Sequence, residues 1–398
     1  MSERAGYVGP TILLTVIQAM VSWAVFAPPV LAKQALPDMG YDPAWIGLQP
    51  TIVFIAAMVS SMISGALVAR YNSMRLSQFL LLLAAAGSVL IATGDIWLGI
   101  LGSILIGAAL GPTTPASSHI LSRVTPRQMQ PLIFSIKQTG VPLGGALAGF
   151  VGPPLTLLWG WQSAILVIAG ACIAVVVVTE LWTRGYAQLS DTNRRFQIEF
   201  IGPLRLVIDS PVLRWLLAGC VPLVVAQYAL TTFIVLYLQE GIGLSVITAG
   251  AILAVAQASG GTARIVFGAI SARFIAPLFM LLVLALLAAV AAFLTAMLTG
   301  SWPLTLIYAV GVLFGATAAG WNGIYLAEIA RLAPAGEVSR TTGAVGFVIF
   351  AGVVTGPAIF AAIVSVTTFQ VAYICISVLM LASVLSFLRA HTHIGRAT

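Results

Sequence analysis

Charge is what this sequence has least of. Only 18 lysines and arginines and 11 aspartates and glutamates occur in 398 residues, 7% of the chain, against about 25% in soluble globular domains. No water-facing surface can be built from so few charges, so a bilayer must act as solvent for most side chains. Cysteine is scarce too: Cys172, Cys220 and Cys375 lie in apolar stretches without CxxC or CxxH spacing, which excludes a metal cluster and a disulfide framework. No basic run and no aromatic-basic stripe accompanies the net charge of +7. The arginines stand singly at the ends of apolar segments, a pattern of membrane topology and not of nucleic-acid binding. HxxxH and DxxD pairs, a nucleophile elbow and an appended soluble domain are all missing, so a membrane enzyme or a receptor-like sensor has no support and no cofactor or metal is expected. Behind Glu3 and Arg4 the first apolar segment has no small-residue cleavage site; it reads as a span, not a removed signal peptide.

What is present is a series of twelve apolar windows, near 11–31, 44–69, 75–94, 96–121, 129–153, 161–183, 211–238, 245–271, 275–299, 303–330, 340–365 and 368–389. A crossing needs about 20 such residues, because the hydrocarbon core is about 30 Å thick. The one long polar stretch, 184–210, holds Arg184, Asp191, Arg194, Arg195, Glu199, Arg205 and Asp209 and leaves six windows on either side. The expected fold is therefore an all-α membrane protein, with an N-terminal six-helix half over 1–183, a linker over 184–210 and a C-terminal six-helix half with a short tail over 211–398.

Cations fix the expected orientation, since lysine and arginine in short loops stay on the cytoplasmic side. One set of turns carries Arg70 and Arg75, Arg123 and Arg127, the linker arginines, Arg273, Arg331 and Arg340, with Arg389 and Arg396 in the tail. The opposite loops hold Lys33 with Asp38, Asp42, Asp95 and Glu240. Both termini are thus predicted to face the cytoplasm from a bacterial inner membrane.

The two halves repeat each other, as in repeat-built transporters. Gly65-Ala-Leu-Val-Ala-Arg70 at the end of span 2 returns as Gly268-Ala-Ile-Ser-Ala-Arg273 in span 8, at an offset of 203. Gly149-Phe-Val-Gly152-Pro153 in span 5 is echoed by Gly352-Val-Val-Thr-Gly356-Pro357 in span 11, at offsets of 203 and 204. Trp161-Gln-Ser-Ala164 and Phe369-Gln-Val-Ala372 open spans 6 and 12. Three matches at nearly one offset, in corresponding spans, point to duplication.

On these residues the chain resembles the major facilitator superfamily over essentially its whole length. Gly65, Leu67 and Arg70 follow the family's Gly-x-Leu-x-Asp-Arg loop. Ala69 and Ala272 stand where the family usually has an Asp that helps latch the two halves on the cytoplasmic side, so that loop lacks the charge for such a latch. Span 4 carries Ser103, ahead of Gly107 and Gly111, where proton-coupled members often have Arg. Gly140, Gly144, Gly145, Gly149 and Gly152-Pro153-Pro154 look like the family's span-5 signature. The resemblance implies two pseudo-symmetric halves around a central cavity, with spans 5 and 8 facing across it. Independently of the family, small residues four apart let helices approach closely in lipid, and Pro153 and Pro357 permit bends. Gly65, Arg70, Gly268, Arg273, Gly149, Pro153, Gly356 and Pro357 are accordingly the candidate gating residues, with packing alone as the plainer reading.

An ionisable residue inside a span is costly and usually faces a cavity or a partner. Lys137 lies about 12 Å into span 5 and Arg264 about 10 Å from the same end of span 8, at about 1.5 Å per residue. Two cations at like depth describe an anion site, and Arg264-Ile-Val-Phe-Gly268 is similar to the span-8 motif of monocarboxylate and oxalate-formate carriers, whose arginine holds the substrate carboxylate. Arg264 either touches substrate or bonds backbone carbonyls. Gln18, Trp23, Gln138, Gln227, Tyr228, Gln257, Trp321, Asn322 and Tyr325 are further candidate wall residues, because an amide at lipid depth needs a partner and faces inward. His119 and Glu328, within a turn of span ends, are candidates for a coupling proton or ordinary interfacial residues. The leading reading is a monomeric secondary transporter of a small organic anion working by alternating access. Proton-driven drug or metabolite efflux is the alternative; it normally uses a membrane-embedded acid in the first half, and none is present there.

Overall fold

The computed structural model describes residues 5–41, 47–183 and 199–394. Backbone groups in lipid must be satisfied within their own segment, which restricts an apolar chain of this kind to helices. Among the described residues there are helices and no strands. In chain order they are α1 (Ala5–Asp38), α2 (Leu48–Met62), α3 (Ser64–Arg70), α4 (Ser73–Ala92), α5 (Ile96–Val124), α6 (Gln130–Gln138), α7 (Gly140–Thr183), α8 (Ile201–Asp209), α9 (Pro211–Leu236), α10 (Val246–Arg273), α11 (Pro277–Ala296), α12 (Leu304–Ala319), α13 (Asn322–Leu332), α14 (Val338–Val366) and α15 (Phe369–Ile394).

Ten stretches are long and apolar enough to cross a membrane, and the pair α2 and α3, bent by 55°, makes another span. One of the ten, Arg127–Glu180, has 54 residues; straight, it would run about 81 Å at about 1.5 Å per residue, nearly three times the hydrocarbon core. It turns at Gly160, whose φ of 82° is open to glycine and strained for any side chain. That turn separates spans 5 and 6, and the twelve spans of the 6+6 plan are all present among the described residues. Helix starts follow from local chemistry: Asn72, Asp95, Ser210 and Ser245 each accept a backbone N–H of the first turn, and Pro211 takes the position whose N–H would be spare.

The helices group into two compact units, each described here by itself. One comprises Met1–Thr125, Lys137–Arg205 and Ala333–Phe350; the other comprises Pro126–Ile136, Leu206–Leu332 and Ala351–Thr398. In the first, α1 packs along α7, and α5 packs on α2 and α4. In the second, α10 packs on α12, and α15 on α9 and α11. The duplication extends to these contacts. Gly107 and Gly111 of α5 lie against Val53, Ala56, Ala57 and Ser60 of α2. Gly311 and Gly315 of α12, 204 residues later, lie against Ile252 and Ala256 of α10. A side chain at any of the four would strike the facing helix, which is why the offset carries glycine twice at each place.

Several expectations are refined. α1 extends beyond 11–31 in both directions with Pro28, Pro29 and Pro37 inside it. Spans 2 and 10, read as single helices, are each broken, at Ile63 and at Gly320–Trp321. The linker is not all coil, since α8 occupies its last third; Arg184, Asp191, Arg194 and Arg195 lie outside the described residues.

Candidate functional site

Gly140 and Gly144 build the first cluster. A Cβ on Gly140 would lie 2.6 Å from the Thr15 carbonyl oxygen and 2.7 Å from Gln18 Cβ, and one on Gly144 would lie 2.5 Å from Ser22 Cβ. Only glycine lets span 5 come this close to span 1. The closeness brings Lys137, the penultimate residue of α6, to Gln18. Lys137 is 2% exposed and donates from Nζ to Gln18 Oε1 at 2.7 Å, Gln138 Oε1 at 3.1 Å and Thr114 Oγ1 at 3.3 Å. Gln18 Nε2 in turn donates to Ser22 Oγ at 3.3 Å. Every polar partner of this ammonium is neutral; no carboxylate among the described residues pairs with it. Trp23, on the same helix as Gln18, is 6% exposed and its indole N–H has no hydrogen-bond partner. A buried cation and a spare donor, balanced only by amide and hydroxyl oxygens, form an environment suited to an anion.

The second cluster lies in the other unit, around the break in span 10. α12 ends at Ala319, leaving its carbonyl without a helical partner. Arg264, 4% exposed, donates from Nε to that oxygen at 3.0 Å, and Asn322 Nδ2 lies 3.4 Å from it. Asn322 Nδ2 also donates to Gln227 Oε1 at 3.1 Å. The Tyr228 phenol is within electrostatic reach of the Arg264 guanidinium. Trp321 and Tyr325 stack edge to face with centroids 5.5 Å apart; the Trp321 N–H donates to Ala318 O at 2.9 Å, while the buried Tyr325 hydroxyl lies against Cys220 without a hydrogen bond. Arg264 therefore does bond a backbone carbonyl, and α10 runs to Arg273, two residues past the predicted end, so the arginine is correspondingly deeper.

Of the other candidates, Gln257 is exposed and joins neither cluster. His119 is buried with Nδ1 2.9 Å from Ser73 Oγ. Glu328 is 1% exposed and accepts a two-pronged pair from Arg331, at 2.8 Å from Nε and 2.7 Å from Nη2. Among the gating candidates, Gly268 packs on Ser135, whose Oγ and Cβ would be 2.5 and 2.6 Å from an added Cβ, and Gly356 packs on Val225 at 3.3 Å. Gly65 seats Arg340, but Gly149 faces open space. Arg70 lies 6.0 Å from the Tyr71 ring centroid, and Arg273 is exposed at the end of α10. Pro153 and Pro357 stay inside continuous helix. Thr114 is the site residue that sequence reasoning missed. Its only signal was its place between Pro112 and Pro115, and threonines in spans usually bond their own helix, as Thr113 does to Ala109 O at 2.7 Å.

Similarity to known proteins fits this architecture. The fucose:proton symporter FucP of Escherichia coli superposes with a TM-score of 0.78 at 16% identity, covering 97% of this chain and 99% of that one. A bacterial homologue of the iron transporter ferroportin gives 0.79 at 13% identity over 96% and 99%. In sequence, the 4-hydroxybenzoate transporter PcaK of Pseudomonas aeruginosa is 29% identical over 160 residues, 39% of this chain. An MFS-type transporter of Mycobacterium tuberculosis is 28% identical over 173 residues, 44% of this chain. The matched stretches span 34% and 38% of those two relatives. The model of the Major Facilitator Superfamily matches residues 12–329, and with the two-fold repeated helix packing this makes the chain a multi-pass membrane transporter belonging to the Major Facilitator Superfamily.

Proposed function

We propose that this transporter moves a small organic anion, a carboxylate, across a bacterial inner membrane by alternating access, with both termini in the cytoplasm. The observation that carries the reading is Lys137: a buried ammonium whose partners are three neutral oxygens has its charge unmatched until an anion arrives. Arg264 supplies a second buried cation, and a guanidinium fork already fixed through Nε suits a planar carboxylate better than a point charge would. Aromatic side chains beside each cation, Trp23 and the Trp321–Tyr325 pair, favour an aromatic or short aliphatic acid. The partial similarity to a protein named as a 4-hydroxybenzoate transporter agrees with that class. The halves over 1–183 and 211–398 would rock about the linker. His119 is the better of the two proton-coupling candidates, because Glu328 already has its charge met by Arg331.

The test is a thermal-shift screen of purified protein against carboxylates, amines and inorganic anions, since a ligand that binds the folded state raises its apparent stability. Aromatic carboxylates including 4-hydroxybenzoate should stabilise the protein and matched amines should not. Stabilisation by amines alone would overturn the reading in favour of cation efflux.

A further inference from the structure

Arg340 stands in the first turn of α14 (Val338–Val366), where the positive end of the helix macrodipole disfavours a cation. Its surroundings compensate. Glu337, just before the helix, places Oε2 3.3 Å from Nη1, and Glu199 places Oε2 2.5 Å from Nη2. Glu199 is 141 residues away in sequence, in the linker, two residues ahead of α8. The aliphatic stem of Arg340 lies flat on span 2: an added Cβ at Gly65 would overlap its Cγ and come within 3.2 Å of its Cα. The guanidinium also lies over the start of α8, where a Cβ on Gly202 would be 2.9 Å from Nη2. Beside it, Ser64 Oγ donates to Ser339 O at 3.3 Å and Ser339 Oγ donates to Ser64 O at 3.4 Å. The start of α14 is therefore docked on the bend of span 2. The adjoining end of α3, Leu67-Val68-Ala69-Arg70, offers no carboxylate, so the acid that reaches Arg340 from outside its own helix comes from the linker.

We propose that Glu199 makes the linker a latch, holding the start of span 11 on the bend of span 2 and releasing it when span 11 moves in the transport cycle; the inference rests on the alternating-access reading above. Ala333–Phe350 belongs to the first compact unit, and the rest of α14 to the second. Any displacement of the remainder of the helix therefore loads this one contact. A half-exposed pair is suited to such a role. Glu199 is 47% and Arg340 29% exposed, and pairs of that kind bias an equilibrium without locking it.

The test is a double-mutant cycle read by electron–electron resonance on the full chain, with spin labels at Tyr71→Cys and Ala335→Cys, both exposed, and the exposed Cys375 replaced by serine. Glu199→Gln should lower the population with the short label distance by about two- to fivefold. Glu199→Arg and Arg340→Glu should each lower it further, and the double exchange should recover it beyond the additive expectation. High salt should move the wild type toward Glu199→Gln and leave that variant unchanged. Wild-type distances in Glu199→Gln and Glu199→Arg, or strictly additive exchanges, would overturn the latch. The measurement needs no substrate, so the two readings fail separately. Anion binding without these shifts removes the latch alone, and these shifts without anion binding remove the substrate class alone.

Discussion

Replacing Gly144 by alanine should loosen span 5 from span 1 and disturb the Lys137 cluster with it. The new methyl group would lie 2.5 Å from Ser22 Cβ and 2.6 Å from both Ala19 O and Trp23 N. Carbon contacts are comfortable at about 3.5–4.0 Å, so the helices must part by about 1 Å. Overpacking of that size costs about 1–3 kcal/mol, against a gain of about 0.5–1 kcal/mol for alanine in a helix. Gln18 sits one turn before Ser22, and its 2.7 Å bond from Lys137 would lengthen toward about 3.7 Å, past hydrogen-bonding distance. A bond to a charged group contributes about 1.5–3 kcal/mol, so ligand affinity should fall together with stability. Thermal unfolding and equilibrium binding on the purified protein read both effects. Gly149→Ala is the internal control, because nothing lies within 4 Å of an added Cβ there; it should leave binding intact and match or exceed wild-type stability. Wild-type behaviour of Gly144→Ala, or damage from Gly149→Ala and not from Gly144→Ala, would refute the reasoning.

Three further outcomes are expected. Arg331→Leu should destabilise by about 3–5 kcal/mol because it strands the carboxylate of Glu328, 1% exposed, whereas Glu328→Gln should cost much less because Arg331, 41% exposed, can turn to solvent; unfolding temperatures in the order Glu328→Gln below Arg331→Leu would contradict this. Ala69→Asp should retain transport, since the start of span 11 is already held through Glu199; complete loss of uptake at normal expression would show that the alanine is required. Reporter fusions after Asp209 and at Thr398 should behave as cytosolic, and a periplasmic signal from either would invert the proposed topology.

The sequence made the spans legible because so few charges interrupt them, and the 203- and 204-residue offsets revealed the duplication before any contact was known. Breaks inside spans were not legible. At Ile63 and at Gly320–Trp321 the chain stays apolar through the bend, and hydropathy is blind to backbone direction. α8 was hidden because nine residues with three charges or prolines read as linker. In the site, Lys137, Gln18 and Gln138 stood out as polar groups at lipid depth, and they do meet. Thr114 did not, because a span hydroxyl is normally content with its own helix. Gly149 looked like its neighbours at four-residue spacing, yet Gly140 and Gly144 are the pair that touches span 1. A repeat of small residues does not say which members face the partner helix. The Arg340 contacts depend on residues 141 and 275 positions apart, a separation at which no local pattern in one sequence carries information.

The central claim is that the missing counter-charge of Lys137 is the substrate. Direct binding of 4-hydroxybenzoate to well-folded wild-type, Lys137→Gln and Arg264→Gln protein tests it most closely. Removing one charge from a desolvated pair costs about 3–5 kcal/mol, so each variant should bind more than about a hundredfold more weakly. Arg264→Lys should recover only part of the loss, because the guanidinium fork is gone. Unchanged affinity in the Lys137→Gln protein would contradict the account, whatever happened at Arg264.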